Sequence, residues 1–143
     1  MTTPTPHQAL VSFLAGHKVL KLATAGGPVS PWLTGAYFVE DGAFALHLIL
    51  EKGGKGMKNI LADPRVALAV DDASPFSLFA QAEGRASLVE GAEAASRLAA
   101  LRAKVPEIEP LLMGPVNVVR IDVPRWLVTA FEHGWFPARE VRP

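Results

Sequence analysis

Residues 76–89 alternate almost without a break. Phe76, Leu78, Ala80, Ala82, Gly84, Ala86 and Leu88 hold the even positions, and Ser77, Phe79, Gln81, Glu83, Arg85, Ser87 and Val89 the odd ones. Successive side chains of a strand point to opposite faces, so this spacing predicts one long strand with an apolar face and a mostly polar face. Gly84 is the expected site of a bend or bulge. A long strand of this kind needs hydrogen-bonded neighbours on its edges, and the rest of the chain supplies them.

The same period of two recurs on both sides. Leu20 and Leu22 flank Lys21 in a first strand. Ala25-Gly26-Gly27-Pro28 is a turn signal, and an apolar run from Val29 to Val39 follows it as a second strand. Asp41-Gly42 predicts a tight hairpin into a third strand, Ala43 to Leu50. There Phe44, Leu46, Leu48 and Leu50 share one face and His47 takes the other. Further strands are expected at Arg65–Val70, Val116–Val123 and Arg125–Phe131. Strands joined by short turns pair antiparallel, and closing them on themselves removes the exposed edges. The expectation is a mainly β fold of six or seven strands in a closed or partly closed barrel, with two or three short helices.

Helical spacing is confined to short pieces. His7–Ala15 places Leu10, Val11 and Leu14 on one face before Gly16 stops it. Gly91–Lys104 places Ala94, Leu98 and Leu101 together, with Glu93 and Arg97 one turn apart. A third helix follows the glycine-rich loop at 53–56 and ends before Pro64. Val105–Pro115, with three prolines, reads as a loop or broken helix, and the aromatic tail His133–Pro137 is expected to dock on the body.

Composition narrows the functions. The 143 residues are expected to form one domain, 1–143, with no internal repeat. Lys plus Arg equals Asp plus Glu, 14 against 14, which argues against a nucleic-acid partner. The chain has no cysteine, so disulfides, thiolate metal sites and a cysteine nucleophile are excluded. No apolar run of about 18 residues occurs, and the first residues lack the features of a signal peptide, so no membrane role is expected and the default compartment is the cytoplasm.

The strongest chemical signal is Gly53-Gly54-Lys55-Gly56 running into a helix, with Lys52, Lys55 and Lys58 clustered around it. Exposed amides at a helix start attract anions, and the lysines add charge. The loop is neither a Walker A sequence, because Gly56 follows Lys55, nor a full dinucleotide fingerprint, because Asn59 takes the third glycine position. A phosphate ligand and a plain turn both satisfy it. The histidines at 7, 17, 47 and 133 lack metal-ligand spacing, so no metal site is expected.

Four segments together resemble the FMN-binding split-barrel family related to pyridoxamine 5′-phosphate oxidase. They are Leu22-Ala23-Thr24 with Gly27-Pro28-Val29-Ser30-Pro31, the hairpin at Asp41-Gly42, the run Lys58 to Leu68, and Glu83-Gly84-Arg85-Ala86. The resemblance implies a six-stranded antiparallel split β-barrel. It also implies a homodimer that binds FMN at the subunit interface and acts as an oxidoreductase on a small molecule. It places Pro31, Trp32 and Leu33 along the flavin ring, Leu48, Ile49 and Leu50 at the ring and ribityl chain, and Lys55, Lys58 and Asn59 at the phosphate. Gln81 and Trp135 are implied to reach the flavin from the partner subunit. Glu51 stands where relatives often carry Ser or Thr. Relatives of this type also use a deazaflavin or haem, for which His47 or His133 is the candidate axial ligand. A flavin sensor or carrier without catalysis is the remaining alternative, and no residue is singled out as an acid or base.

Overall fold

A computed structural model describes residues 2–27, 30–72, 74 and 76–143. Eight strands are formed: β1 Val19–Thr24, β2 Trp32–Glu40, β3 Ala45–Glu51, β4 Arg65–Asp71, β5 Phe79–Val89, β6 Val116–Asp122, β7 Trp126–Ala130 and β8 Trp135–Val141. Three α-helices accompany them, α1 Pro6–Ala15, α2 Lys55–Ala62 and α3 Gly91–Lys104, with 3-10 segments at Pro106–Met113 and Phe131–His133.

All pairings are antiparallel. The sheet runs β4-β1-β2-β3-β6-β5-β7-β8, and a further β4–β5 ladder closes its first six-strand circuit into a barrel. The long strand β5 makes the split. Residues 85–89 pair with β6, and residues 79–81 pair with β7 on the same edge. β4 runs along the other edge from Arg65↔Arg85 to Asp71↔Phe79. Gly84 sits where β5 passes from one neighbour to the other, and a Cβ there would lie 2.7 Å from Ile121 Cγ2 and 3.1 Å from the Asp122 carbonyl oxygen.

The barrel interior is filled by the inward alternation the sequence shows: Leu20 and Leu22, Ala36 and Phe38, Leu46, Leu48 and Leu50, Val66, Leu68 and Val70, and Val119 and Ile121. Trp126 is fully buried and donates its indole N–H to the Ala43 carbonyl, 2.6 Å away, so its one polar atom is satisfied. α1 begins with a capping box between Thr5 and Gln8 and lays Leu10 and Leu14 into the same core. Val11, expected beside them, is 45% exposed, because the buried stripe is the i, i+4 pair alone. On the outer face of β3 a second cluster forms from Ile49, Leu101, Val105 and Ile108, so α3 and the following 3-10 segment cover that side.

Several boundaries differ from the sequence expectation. β2 starts at Trp32, after Pro31, rather than at Val29; Pro28 and Val29 lie outside the described residues. β5 starts at Phe79, because Phe76 and Ser77 form a turn. Val105–Pro115 is largely a 3-10 segment. The aromatic tail is the start of a strand, β8, paired to β7. Among the described residues no helix is long and apolar enough to cross a membrane.

Gly84→Ala is expected to lower stability by roughly 1–3 kcal/mol, since a methyl there overlaps Ile121 and backbone. Urea unfolding checks this. An unchanged midpoint would mean the β5 crossover is not close-packed.

Candidate functional site

The outer face of β2, β1, β4 and β5 carries unusually small side chains. The registers set Leu33, Ala23, Ala67 and Glu83 in one row, and Gly35, Lys21, Ala69, Gln81 and Leu127 in the next. A cleft of about 430 Å³ opens over this face, floored by Ala23, Ala67 and Ala69 and bordered by Leu33, Gln81 and Glu83. Lys21 and Arg125 stand at its margins, each already paired, with Asp71 at 2.8 Å and Glu140 at 3.7 Å. A second hollow of about 480 Å³ shares Ala23, Ala67 and Glu83 and extends past Gly26, Asp63 and Arg65. The side chain of Arg65 donates to Asp63, with Nη2 at 2.7 Å, and this bond holds the Asp63 carboxyl down at about 2.

α2 packs against β1 and β2, two of the strands beneath the cleft. Leu33, 62% exposed, lies on the cleft face of β2, whereas Trp32 pairs with the buried Thr24 on the other face, and the ammonium of Lys55 lies 4.2 Å above the Trp32 ring. α2 starts at Lys55 with Gly54 as its N-cap, and no side chain caps its first amides. Lys52 and Lys58 are exposed beside it. Among the described residues, neither they nor Lys55 forms an ion pair. Glu51 stands against them, since its Oε2 is 3.8 Å from the position a Cβ on Gly54 would take.

The turn before β2 is pressed onto α2. A Cβ on Gly26 would lie 2.0 Å from the Asp63 Cβ, and one on Gly27 would lie 2.3 Å from the Asn59 Oδ1. Only glycine permits this approach. Below it, the fully buried Asn59 donates from Nδ2 to the Thr24 hydroxyl at 3.0 Å.

The sequence-derived candidates therefore separate. Leu33 and Gln81 border the cleft, Pro31 and Trp32 lie exposed at the start of β2 outside its lining, and Lys55 and Lys58 flank the α2 N-terminus. Leu48 and Leu50 point into the barrel, and Ile49 faces α3 and the 3-10 segment. Asn59 is turned inward toward Thr24. Trp135 is 5% exposed within this chain's own core, its ring 4.7 Å from that of His133. The alanine floor escaped sequence reasoning, because alanine carries no chemical signal; the register alone assembles it.

Neither haem-ligand candidate lines the cleft. His47 is buried under α3, and His133 belongs to the turn before β8. Among the described residues no cluster of three His, Asp or Glu side chains has a geometry for a metal ion.

No curated protein sequence matches the chain. Solved structures do. A heme binding protein from Mycobacterium smegmatis superposes with a TM-score of 0.81 at 20% identity over 99% of this chain, which spans 60% of that protein's length. HutZ, a heme storage protein of Vibrio cholerae, gives 0.71 at 20% identity over 85% of this chain and 94% of its own. General Stress Protein 26 from Bacillus anthracis gives 0.72 at 15% identity over 96% and 98%. At such identities the likeness speaks for the split barrel alone. The sequence itself goes further: residues 6–130, from the first helix through the β5 crossover to the end of β7, match the model of pyridoxamine 5′-phosphate oxidase, and the chain belongs to that family.

Proposed function

We propose that the chain binds flavin mononucleotide in this cleft as a homodimer and exchanges electrons between the flavin and a small molecule. The observation that carries the reading is the flat, small-residue floor of the cleft, with an uncapped, lysine-ringed helix start packed against the same strands β1 and β2. Ala23, Ala67 and Ala69 leave room for a planar ring on the sheet, and Gln81 and Glu83 offer polar atoms at its edge. The first amides of α2, with Lys55 and Lys58, suit the phosphate, because both helix dipole and side-chain charge favour an anion there.

The bound flavin would supply hydride or single-electron transfer, and this chain's residues would bind, orient and shield it. Leu33 and the alanines exclude water from the underside of the cleft. Gln81 and Glu83 orient the ring by hydrogen bonding. The partner is a second copy of the chain. Val19, Leu33, Ala23, Ala67 and Ala69 put apolar surface on an outer sheet face whose charges are Lys21, already paired with Asp71, and Glu83, and such a face gains by being covered.

Haem is the second reading, favoured by the likeness to the two haem-handling proteins. Against it stands the position of both histidine candidates outside the cleft. Haemin titration separates the two: a Soret band that disappears in His133→Ala or His47→Ala would favour haem over flavin.

Reconstitution with FMN and with riboflavin tests the flavin reading. FMN is expected to bind more tightly, because riboflavin lacks the phosphate. Lys55→Ala is expected to weaken FMN by about 10-fold or more while leaving riboflavin nearly unaffected. Glu51→Gln, which removes the carboxylate beside Gly54, is expected to tighten FMN. Equal affinity for both ligands would place the phosphate elsewhere.

Ala67→Asp puts a charge in the middle of the exposed face, where it meets no core residue. Size-exclusion chromatography is expected to show a folded monomer in place of a dimer, since an unpaired buried charge disfavours the interface. An unchanged dimer would move the interface off this sheet.

A further inference from the structure

His47 is 1% exposed, and neither of its ring nitrogens has a hydrogen-bond partner. It sits on the outer face of β3, between Val39 of β2 and Arg120 of β6. The charged groups facing it come from three elements: Glu93 and Arg97 from α3, Arg120 from β6, and Asp41 from the β2–β3 turn. Two of these are tied to one another, Arg97 to Asp41 at 2.8 Å. Arg120 is tied to Asp122 at 2.9 Å. None of them reaches the imidazole. A buried polar ring without a partner is unfavourable when neutral and far more so when charged. Burial lowers the His47 pKa, and Arg97 and Arg120 push it the same way against Asp41 and Glu93.

The helix above this ring is held unevenly. At its C-terminal end Leu101 is buried in the second core cluster. Lys104 donates to the Leu14 carbonyl at 3.0 Å and to Glu40 at 2.7 Å, and lies 3.9 Å over the Phe38 ring. The N-terminal turn has no side-chain cap, and residues 91–93 are exposed. The half of α3 that carries Glu93 and Arg97 therefore rests on the seam around His47 with little other anchorage.

We propose that His47 is a proton-operated latch, which keeps the N-terminal half of α3 docked while neutral and releases it on protonation. Release uncovers Val39, His47 and Arg120. The latch does not depend on a flavin in the cleft, and it excludes His47 as a haem ligand.

The sign follows from proton linkage. Above the ordinary histidine value of 6.5, docked and released forms are both neutral and pH has no effect. Below it, the released form binds the proton more readily, so docking weakens as pH falls.

Hydrogen exchange of the full-length protein at about pH 7.5 and about pH 5.5, corrected for intrinsic rates, tests this; carboxylates titrate mostly below that window. Amides of residues 92–98 are expected to lose protection, with the opening constant rising by up to about tenfold per pH unit below 6.5, while β1 and β4 stay protected. In His47→Leu the pH dependence of those amides is expected to vanish. Protection of α3 that ignores pH in the wild type, or falls equally in His47→Leu, would overturn the latch. Should that variant not fold, an NMR titration of the wild type decides: the His47 ring must titrate below the ordinary range together with shifts in residues 92–98. A ring that titrates normally, or without α3, would also overturn it.

Discussion

The fold depends on one ladder, the pairing of β4 with β5 that closes the barrel. Without it the first six strands would be an open sheet with two exposed edges. Closure requires β5 to serve three neighbours, and it manages this by dividing its free edge between β6 and β7. Gly84 marks the place where a side chain would not fit between Ile121 and Leu68. The interior then needs nothing beyond alternating aliphatic residues to fill it.

Closure also makes the two outer faces unlike. Over β3 and β6, α3 and the 3-10 segment bring a second apolar cluster down onto Ile49, so β3 is buried on both sides. The outer face of β1 and β4 is left open to the cleft among the described residues, and Ala23, Ala67 and Ala69 there are small. The uncovered face is the one with the cleft, and α2, whose lysine-ringed start has no capping side chain, packs against the same strands β1 and β2. The covered face holds the one buried imidazole without a partner among the described residues. The proposed binding site and its proposed control thus fall on opposite walls of one barrel, joined by β5.

The barrel was legible because its strands alternate. The pattern at 76–89 carried β5, and the one at 43–50 carried the inward face of β3. β8 was not legible: Trp135-Phe136-Pro137-Ala138-Arg139-Glu140-Val141 buries only its two ends, so no period of two shows, and its pairing to β7 decides its state. The site was legible in part. Leu33 and Gln81 border the cleft, and Lys55 and Lys58 lie in the first turn of α2. Leu48 and Leu50 carried a contrary signal of their own, because the same alternation that makes β3 a strand sends them inward. Asn59 and Trp135 have polar handles that a sequence cannot assign to ligand or core; the structure spends Asn59 on Thr24 and buries Trp135. The alanine floor and the sealed His47 arise from register and from helix docking, and neither is written in local sequence.

Sedimentation velocity of the FMN-reconstituted protein, followed at the protein band and at the visible flavin band, tests the central claim most directly. The account predicts that flavin absorbance travels with a species of twice the 15.3 kDa chain mass, at one flavin per chain. Flavin that sediments as free ligand beside a colourless dimer, or that binds a monomer at full stoichiometry, would contradict it.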